Sequence, residues 1–376
     1  MLLKNGLKFD PACGFVRADV AWQGEKIAAP LASDTNVYDV SGCYIIPGLT
    51  DIHFHGCRGA DFSDGDAAGL ATIAEYELSC GVTQICPTGM TLAAEQLKKI
   101  CRTAREHREA NRPGATIVGI NLEGPFLSPA KKGAQNAAWL QEPNISLLHE
   151  LETVSGHLVK LVSIAPELPG AVDFIREAAK TVTVSIAHTM ANYEQASAGM
   201  EAGAKSLTHL FNAMPPLAHR DPGVIGAALD HAEVRTEIIS DGIHVHQSAI
   251  RAAFKMFGAE RMILVSDTMR AAGMPDGDYT LGGQDVIVKG KLATLKDGTI
   301  AGSVTNLMDC MRTAISFGIN PADAVKAAAV NSAKTVGIYD LYGSLDLGKM
   351  ANIVVLNPDF SVKSVIKHGQ IVKGSL

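Results

Sequence analysis

Apolar positions along the chain fall into short β-branched runs separated by longer stretches with helical spacing. Eight such runs lie between residues 46 and 335: Gly48–His55, Gly81–Cys86, Thr116–Glu123, His157–Ile164, Thr181–His188, Lys205–His209, Val234–Asp241 and Arg261–Asp267. Most are continuously apolar, as strands covered on both faces should be. Between them the spacing predicts helices over Ala67–Cys80, Leu92–Glu109, Gly170–Thr181 and Tyr193–Ala202. Asn192 with Gln195 three residues on reads as a capping box, and Gly258 suits the end of a helix over Gln247–Phe257. Helices from about Asn306 to Phe317 and Ala322 to Val336 complete the alternation. The expected class is α/β, a (β/α)8 TIM-like barrel over residues 46–340.

The two ends read differently. Residues 1–45 carry short strand patterns broken by Gly and Asp, around Gly6–Phe9, Ala18–Trp22 and Asn36–Val40. Such a sheet is too thin to stand alone. Residues 341–376 hold matching patterns at Ala351–Asn357 and Val362–Ile366. The expectation is a small β-sandwich domain built from both termini. A Gly- and Asp-rich stretch between Asp276 and Gly302, with Val286-Ile287-Val288 inside it, predicts a hairpin insertion after the eighth strand.

Composition narrows the class. The 376 residues are 47% hydrophobic and 19% charged, ordinary for an enzyme with a large core. A net charge of −6 gives no electrostatic reason to bind nucleic acid. Seven cysteines, odd in number and without a CxxC, point to reduced thiols and a cytoplasmic protein. No apolar run approaches the roughly 20 residues of a membrane span, and the first residues carry no secretory pattern.

Barrel enzymes place their chemistry at the C-terminal ends of strands, so what ends each predicted strand decides the function. The first ends in His53 and His55, two apart and therefore on one face. The third ends in Glu123, the fifth in His188, the sixth in His209 and the eighth in Asp267. A structural role is the better reading for any one of them. Their joint arrival at one rim is what predicts a metal site. Glu123 can bridge two divalent ions, one held by His53 and His55 and the other by His188 and His209. Imidazole with carboxylate suits zinc first, with iron, manganese or cobalt as alternatives. Such ions lower the pKa of coordinated water toward about 7. Asp267 can contact an ion as a further metal ligand and act as general base and afterwards as general acid, which points to hydrolysis of a C–N or ester bond.

The motifs Pro47-Gly48-Leu49-x-Asp51-x-His53-x-His55-Gly56 and Leu122-Glu123-Gly124-Pro125-Phe126 resemble the amidohydrolase superfamily. Thr208-His209-Leu210-Phe211-Asn212-Ala213-Met214, Ser240-Asp241-Gly242-Ile243-His244 and Val265-Ser266-Asp267 narrow the resemblance to its N-acetylglucosamine-6-phosphate deacetylase family. The resemblance implies removal of acetate from N-acetyl-D-glucosamine 6-phosphate in amino-sugar catabolism. It assigns metal binding to Glu123, His188 and His209 and acid–base catalysis to Asp267. Substrate contacts fall to Ala134, Asn212, Ala213, Arg220, His244 and the Ile300-Ala301-Gly302 turn. It further implies a homodimer in which Arg220 or His244 reaches the phosphate across the subunit boundary.

Two departures from the family pattern matter. Some members lack the first-strand histidines and use one ion, whereas both are present here. Gln135 stands where many relatives place a His that contacts the acetyl carbonyl, and it can donate a hydrogen bond but bring no charge. The rival readings are another amidohydrolase, such as a cyclic amidase or deaminase, and a catalytically silent barrel serving as a scaffold.

Overall fold

The computed structural model describes residues 1–31 and 36–376, so residues 32–35 of the predicted 1–45 segment lie outside the described residues. Eight parallel strands run through the middle of the chain: β1 (Leu49–Asp51), β2 (Val82–Ile85), β3 (Ile120–Phe126), β4 (Val159–Ile164), β5 (Thr183–Ile186), β6 (Ser206–Leu207), β7 (Arg235–Ile239) and β8 (Met262–Val265). Strands β3 to β8 pair in sequence order, and β1 pairs with β2. A short strand, Thr116–Ile117, continues the β2 ladder, and Asn121 N–H reaches Pro87 O at 3.1 Å on the way into β3. The parallel sheet curls, and the segments that follow β8 and β1 bond to each other. Asp267 N–H donates to His53 O at 2.9 Å, and His55 N–H donates to Thr268 O at 2.7 Å.

Helices cover the outer face: α1 (Ala67–Ser79), α2 (Ala94–Glu109), α3 (Ile145–Val154), α4 (Ala171–Ala178), α5 (Tyr193–Glu201), α6 (Gly223–Asp230), α7 (Gln247–Phe257) and α8 (Leu307–Ser316). In α1 the Asp66 side chain caps the start by accepting from Gly69 N–H, and Leu70, Ile73, Ala74 and Glu77 form the buried stripe. The expected capping box opens α5, where Asn192 and Gln195 bond reciprocally. Gly258 ends α7 with φ of 74°. The helix expected over 322–336 is interrupted. Pro321–Val325 and Asn331–Thr335 flank a π-helical turn over Lys326–Val330. The wider turn aims Asn331, whose amide donates to Met262 O and Ala259 O at 2.7 Å each.

Two further sheets follow, the first drawing on both ends of the chain and the second on the N-terminal end alone. One has six strands in the order Gln370–Gly374, Val362–Lys367, Ile353–Leu356, Tyr44–Pro47, Leu7–Asp10, Gly14–Arg17. The other orders Lys26–Ala28, Val20–Gln23, Leu2–Lys4 and Val37–Asp39. Leu3, Trp22 and Ile27 from the N-terminal part share one core with Ile353, Val355 and Ile366 from the C-terminal part. Trp22 Nε1–H also donates to Gly369 O at 2.9 Å. Burying one such large apolar side chain stabilises by about 1.5–3 kcal/mol, which is why the two ends hold each other. Tyr44–Pro47 crosses the expected boundary at residue 45 and leads straight into β1.

The expected hairpin is a three-stranded antiparallel sheet, Gly277–Leu281, Gln284–Lys289 and Leu292–Thr294. Ser303 N–H donates to Asp267 O at 2.7 Å, and Met269 N–H donates to Ser303 O at 2.9 Å. The insertion is thereby fastened beside the end of β8. All seven cysteines are free, and among the described residues no helix is long and apolar enough to cross a membrane.

Candidate active site

Most of the strands stop earlier than the pattern suggested, although β3 runs past Glu123 to Phe126, and this shapes the site. β5, β6 and β8 end at Ile186, Leu207 and Val265, two residues before His188, His209 and Asp267. Those three adopt φ values of 43°, 29° and 49°. Non-glycine residues rarely adopt this left-handed conformation, and it turns each side chain out of the ladder towards the centre. After β1 the chain likewise leaves the ladder, and the His53 and His55 rings lie 5.6 Å apart at 86°. Gly56 is required next: a Cβ there would collide with Ala60 O.

The five side chains meet at Glu123. Its Oε1 lies 3.0 Å from His188 Nε2, 3.1 Å from His209 Nε2 and 3.4 Å from His53 Nε2. Its Oε2 lies 3.3 Å from His55 Nε2. Asp267 Oδ1 stands 3.2 Å from His55 Nε2 and 3.8 Å from His53 Nε2. All six residues are buried. Two ligand groups share one carboxylate: His53, His55 and Glu123, then Glu123, His188 and His209.

The outer nitrogens settle what the inner ones can do. His53 Nδ1 faces Glu237 Oε2 at 2.8 Å, His55 Nδ1 faces Thr88 O at 3.1 Å, and His188 Nδ1 faces Lys131 O at 2.7 Å. These partners only accept, so each Nδ1 carries the proton and a neutral ring turns its Nε2 lone pair inward. Three lone pairs then converge on two carboxylates, with His209 Nε2 only 3.1 Å from His188 Nε2. Among the described residues His53 Nε2 is buried without a hydrogen-bond partner. A cluster of acceptors facing acceptors is satisfied by cations, and this donor set fits a divalent metal.

Without an ion the same carboxylates would draw protons onto these rings, and a divalent cation would take the place of that positive charge. Burial works against charge on His53, yet the carboxylates of Glu237 and Glu123 outweigh it and hold the imidazole well above its usual range. Burial opposes charge on Glu123 too, but His53, His188 and His209 hold it well below the usual carboxylate range. Asp267 is also lowered: burial acts against it, and His55 and His53 prevail.

A cavity of about 360 Å³ opens above this centre. Ala134, Gln135, Asn212, Ala213 and His244 line it, and the insertion contributes Leu281, Ile300 and Gly302 to one wall. Ala301 is fully buried behind that wall. His244 Nδ1 faces Asp241 Oδ2 at 2.8 Å, which leaves its Nε2 for the cavity. Gln135 lines the cavity, but its amide is engaged on both sides, by Thr91 N–H at 2.7 Å and by Glu123 Oε2 at 2.6 Å. Arg220 does not join this gathering. It is exposed on the loop before α6, outside the cavity lining, and pairs with no acid among the described residues.

Sequence reasoning missed the residues that orient the ligands. Glu237 carried a faint signal, a carboxylate inside the predicted strand Val234–Asp241, where a buried charge needs a partner, although Arg235 and Thr236 beside it are polar too. The carbonyls of Thr88 and Lys131 carried none.

Residues 44–372 match the amidohydrolase family, and the chain belongs to it. Within that family it is 38% identical over 332 residues to the N-acetylglucosamine-6-phosphate deacetylase of Bacillus subtilis (strain 168), covering 87% of this chain and 84% of that one. It is 34% identical over 329 residues to the N-acetylgalactosamine-6-phosphate deacetylase of Escherichia coli O157:H7, covering 87% of both. A mutant N-acetyl-D-glucosamine-6-phosphate deacetylase from Mycobacterium smegmatis, solved in complex with N-acetyl-D-glucosamine-6-phosphate, superposes with a TM-score of 0.92 at 30% identity and 99% coverage of both chains.

Proposed function

We propose that the chain is a metal-dependent deacetylase that hydrolyses N-acetyl-D-glucosamine 6-phosphate to D-glucosamine 6-phosphate and acetate. The observation that carries the chemistry is the convergence of three Nε2 lone pairs on Glu123 and Asp267. The relatives of that name carry the substrate. The curled sheet is read as a closed (β/α)8 barrel over residues 46–340, with residues 1–45 and 341–376 forming one small β domain. The metal is taken as zinc, which His53, His55 and Glu123, and Glu123, His188 and His209, would hold, in a cytoplasmic enzyme.

Bound there, the metal supplies Lewis acidity and makes water a nucleophile at neutral pH. The remaining work belongs to side chains. Asp267, held ionised, stands over the centre at 3.2 Å from His55 Nε2 and can take a proton from the attacking water. The same carboxyl then gives that proton to the departing amine. His244, with Nδ1 held by Asp241, presents Nε2 to the carbonyl oxygen as charge develops there. Asn212, Ala213, Ala134 and the 300–302 turn position the sugar. Arg220 lies outside its own cavity, so we assign it to the phosphate of a neighbouring subunit in a homodimer. A phosphate held far from the reacting bond fixes the amide in place, and that binding energy is expressed at the transition state.

Acetate release from N-acetylglucosamine 6-phosphate tests this reading, alongside the galacto epimer and with metal content counted per chain. Activity lost to a chelator and restored by zinc is the expected result. Full turnover by metal-free protein, or none by the two-ion form, would overturn it.

A further inference from the structure

We propose that Gln135 is a positioning residue for the bridging carboxylate, and that it governs how tightly the His53–His55 half of the centre holds its ion. The inference rests on the metal-hydrolase reading above. Gln135 is 1% exposed, and its amide orientation is fixed by its neighbours. Thr91 N–H can only donate, so the atom 2.7 Å from it is the amide oxygen. The amide nitrogen therefore faces Glu123 Oε2 at 2.6 Å. Thr91 Oγ1 also donates to Glu123 O at 3.4 Å, which ties the segments carrying donor and carboxylate to each other.

The two oxygens of Glu123 divide the histidines unevenly. Oε1 sits among His188, His209 and His53 and so touches both halves of the centre, while among the described histidines Oε2 faces only His55, a member of the His53–His55 half, at 3.3 Å. The last torsion of a glutamate is soft, so nothing in the side chain itself sets the carboxylate plane. Gln135 sets it: one donor on Oε2 directs the remaining lone pair of that atom towards His55. A cationic donor here would discharge the carboxylate. A neutral amide orients it and leaves its full negative charge for two cations.

The test is a titration of metal-stripped protein with buffered free zinc, counting ions per chain by mass spectrometry. The wild type, Gln135→Met and His53→Ala are compared, the last marking which step belongs to the first-strand half. Gln135→Met keeps the side-chain length and removes the donor. It should weaken the step that His53→Ala abolishes by roughly 10–100-fold and leave the other step unchanged. Steady-state kinetics add a second readout. A positioning role lowers kcat and leaves KM for the phosphorylated sugar in place, whereas a substrate contact raises KM. If Gln135→Met does not fold, Gln135→Asn draws the donor back by about 1.5 Å and should act in the same direction. Two wild-type-like steps, both steps weakened together, or a raised KM alone would each overturn the proposal. So would a wild type that binds one ion at every zinc concentration. A wild type that binds no ion overturns the hydrolase reading instead.

Discussion

Replacing Asp241 by Asn isolates the charge on His244 from its geometry. Asp241 Oδ1 accepts the backbone N–H groups of Ile243 and His244 at 2.9 and 3.0 Å, and Oδ2 faces His244 Nδ1 at 2.8 Å. Both side chains are almost fully buried, at 6% and 4% exposure. Burial pushes the His244 pKa down, but the Asp241 hydrogen bond, its charge and the charge of Asp267 outweigh it, and the imidazole is raised above its usual value. Asp241 is lowered in turn: burial opposes ionisation, and His244 with the two backbone donors overcomes it. An asparagine keeps an oxygen for the backbone and offers an NH2 to Nδ1. The neutral ring then still carries a proton on Nε2, so the variant loses the cation and keeps the donor. A buried hydrogen bond to a charged group is worth about 1.5–3 kcal/mol. At about 1.4 kcal/mol per pKa unit, His244 should titrate about one to two units lower in the variant.

Two measurements read this. NMR titration of the His244 ring gives the shift directly, and the alkaline limb of kcat/KM should flatten, because the neutral ring of the variant still donates from Nε2. Stability supplies the sign. A raised His contributes fully below its unfolded pKa, about 6.5, and loses that contribution as pH rises through its folded value. A lowered Asp contributes fully above about 3.9 and loses it as pH falls through its folded value. The penalty of Asp241→Asn should therefore be greatest between about pH 4 and 6.5 and shrink on either side. If His244 titrates at the same pH in both proteins, the charge argument is wrong.

Arg220→Ala should lower kcat/KM for the phosphorylated sugar by about 10–100-fold, the worth of a charge-assisted contact, and leave unphosphorylated N-acetylglucosamine and the melting temperature unchanged. Mixing Arg220→Ala chains with Asp267→Asn chains should restore activity, because one centre then combines an intact Asp267 with the partner subunit's arginine; inactive mixtures would place Arg220 in its own subunit. Glu77→Gln should stabilise the fold increasingly with pH. Among the described residues Glu77 is fully buried without a hydrogen-bond partner, and burial, then the charge of Asp51, raises its pKa well above the usual value. A raised carboxyl costs stability above its unfolded pKa of about 4.3, so the gain should grow from there by up to about 1.4 kcal/mol per pH unit. A flat difference in urea midpoints across pH 4–8 would show that Glu77 is not held neutral.

What could be read from the residues divides along the range of the interactions involved. Strands and helices are local, and their periods placed β1 to β8 and most helices within a few residues. The ligands were legible because each belongs to a short run whose end is visible, and barrel geometry brings such ends together. Their conformation was not legible. His188, His209 and Asp267 sit at positive φ with no glycine to announce it, since the strain is held by contacts such as Asp267 N–H with His53 O. The orienting partners divide the same way. Glu237 is at least a carboxylate inside a predicted strand, whereas Lys131 acts through a backbone carbonyl that any residue possesses. Gln135 shows the limit most clearly. Its type and position suggested a donor facing the substrate, yet Thr91, 44 residues away in the chain, turns that donor onto Glu123. A side-chain amide has two unlike ends, and which end meets the ligand cluster is decided by a backbone N–H that leaves no mark on the sequence.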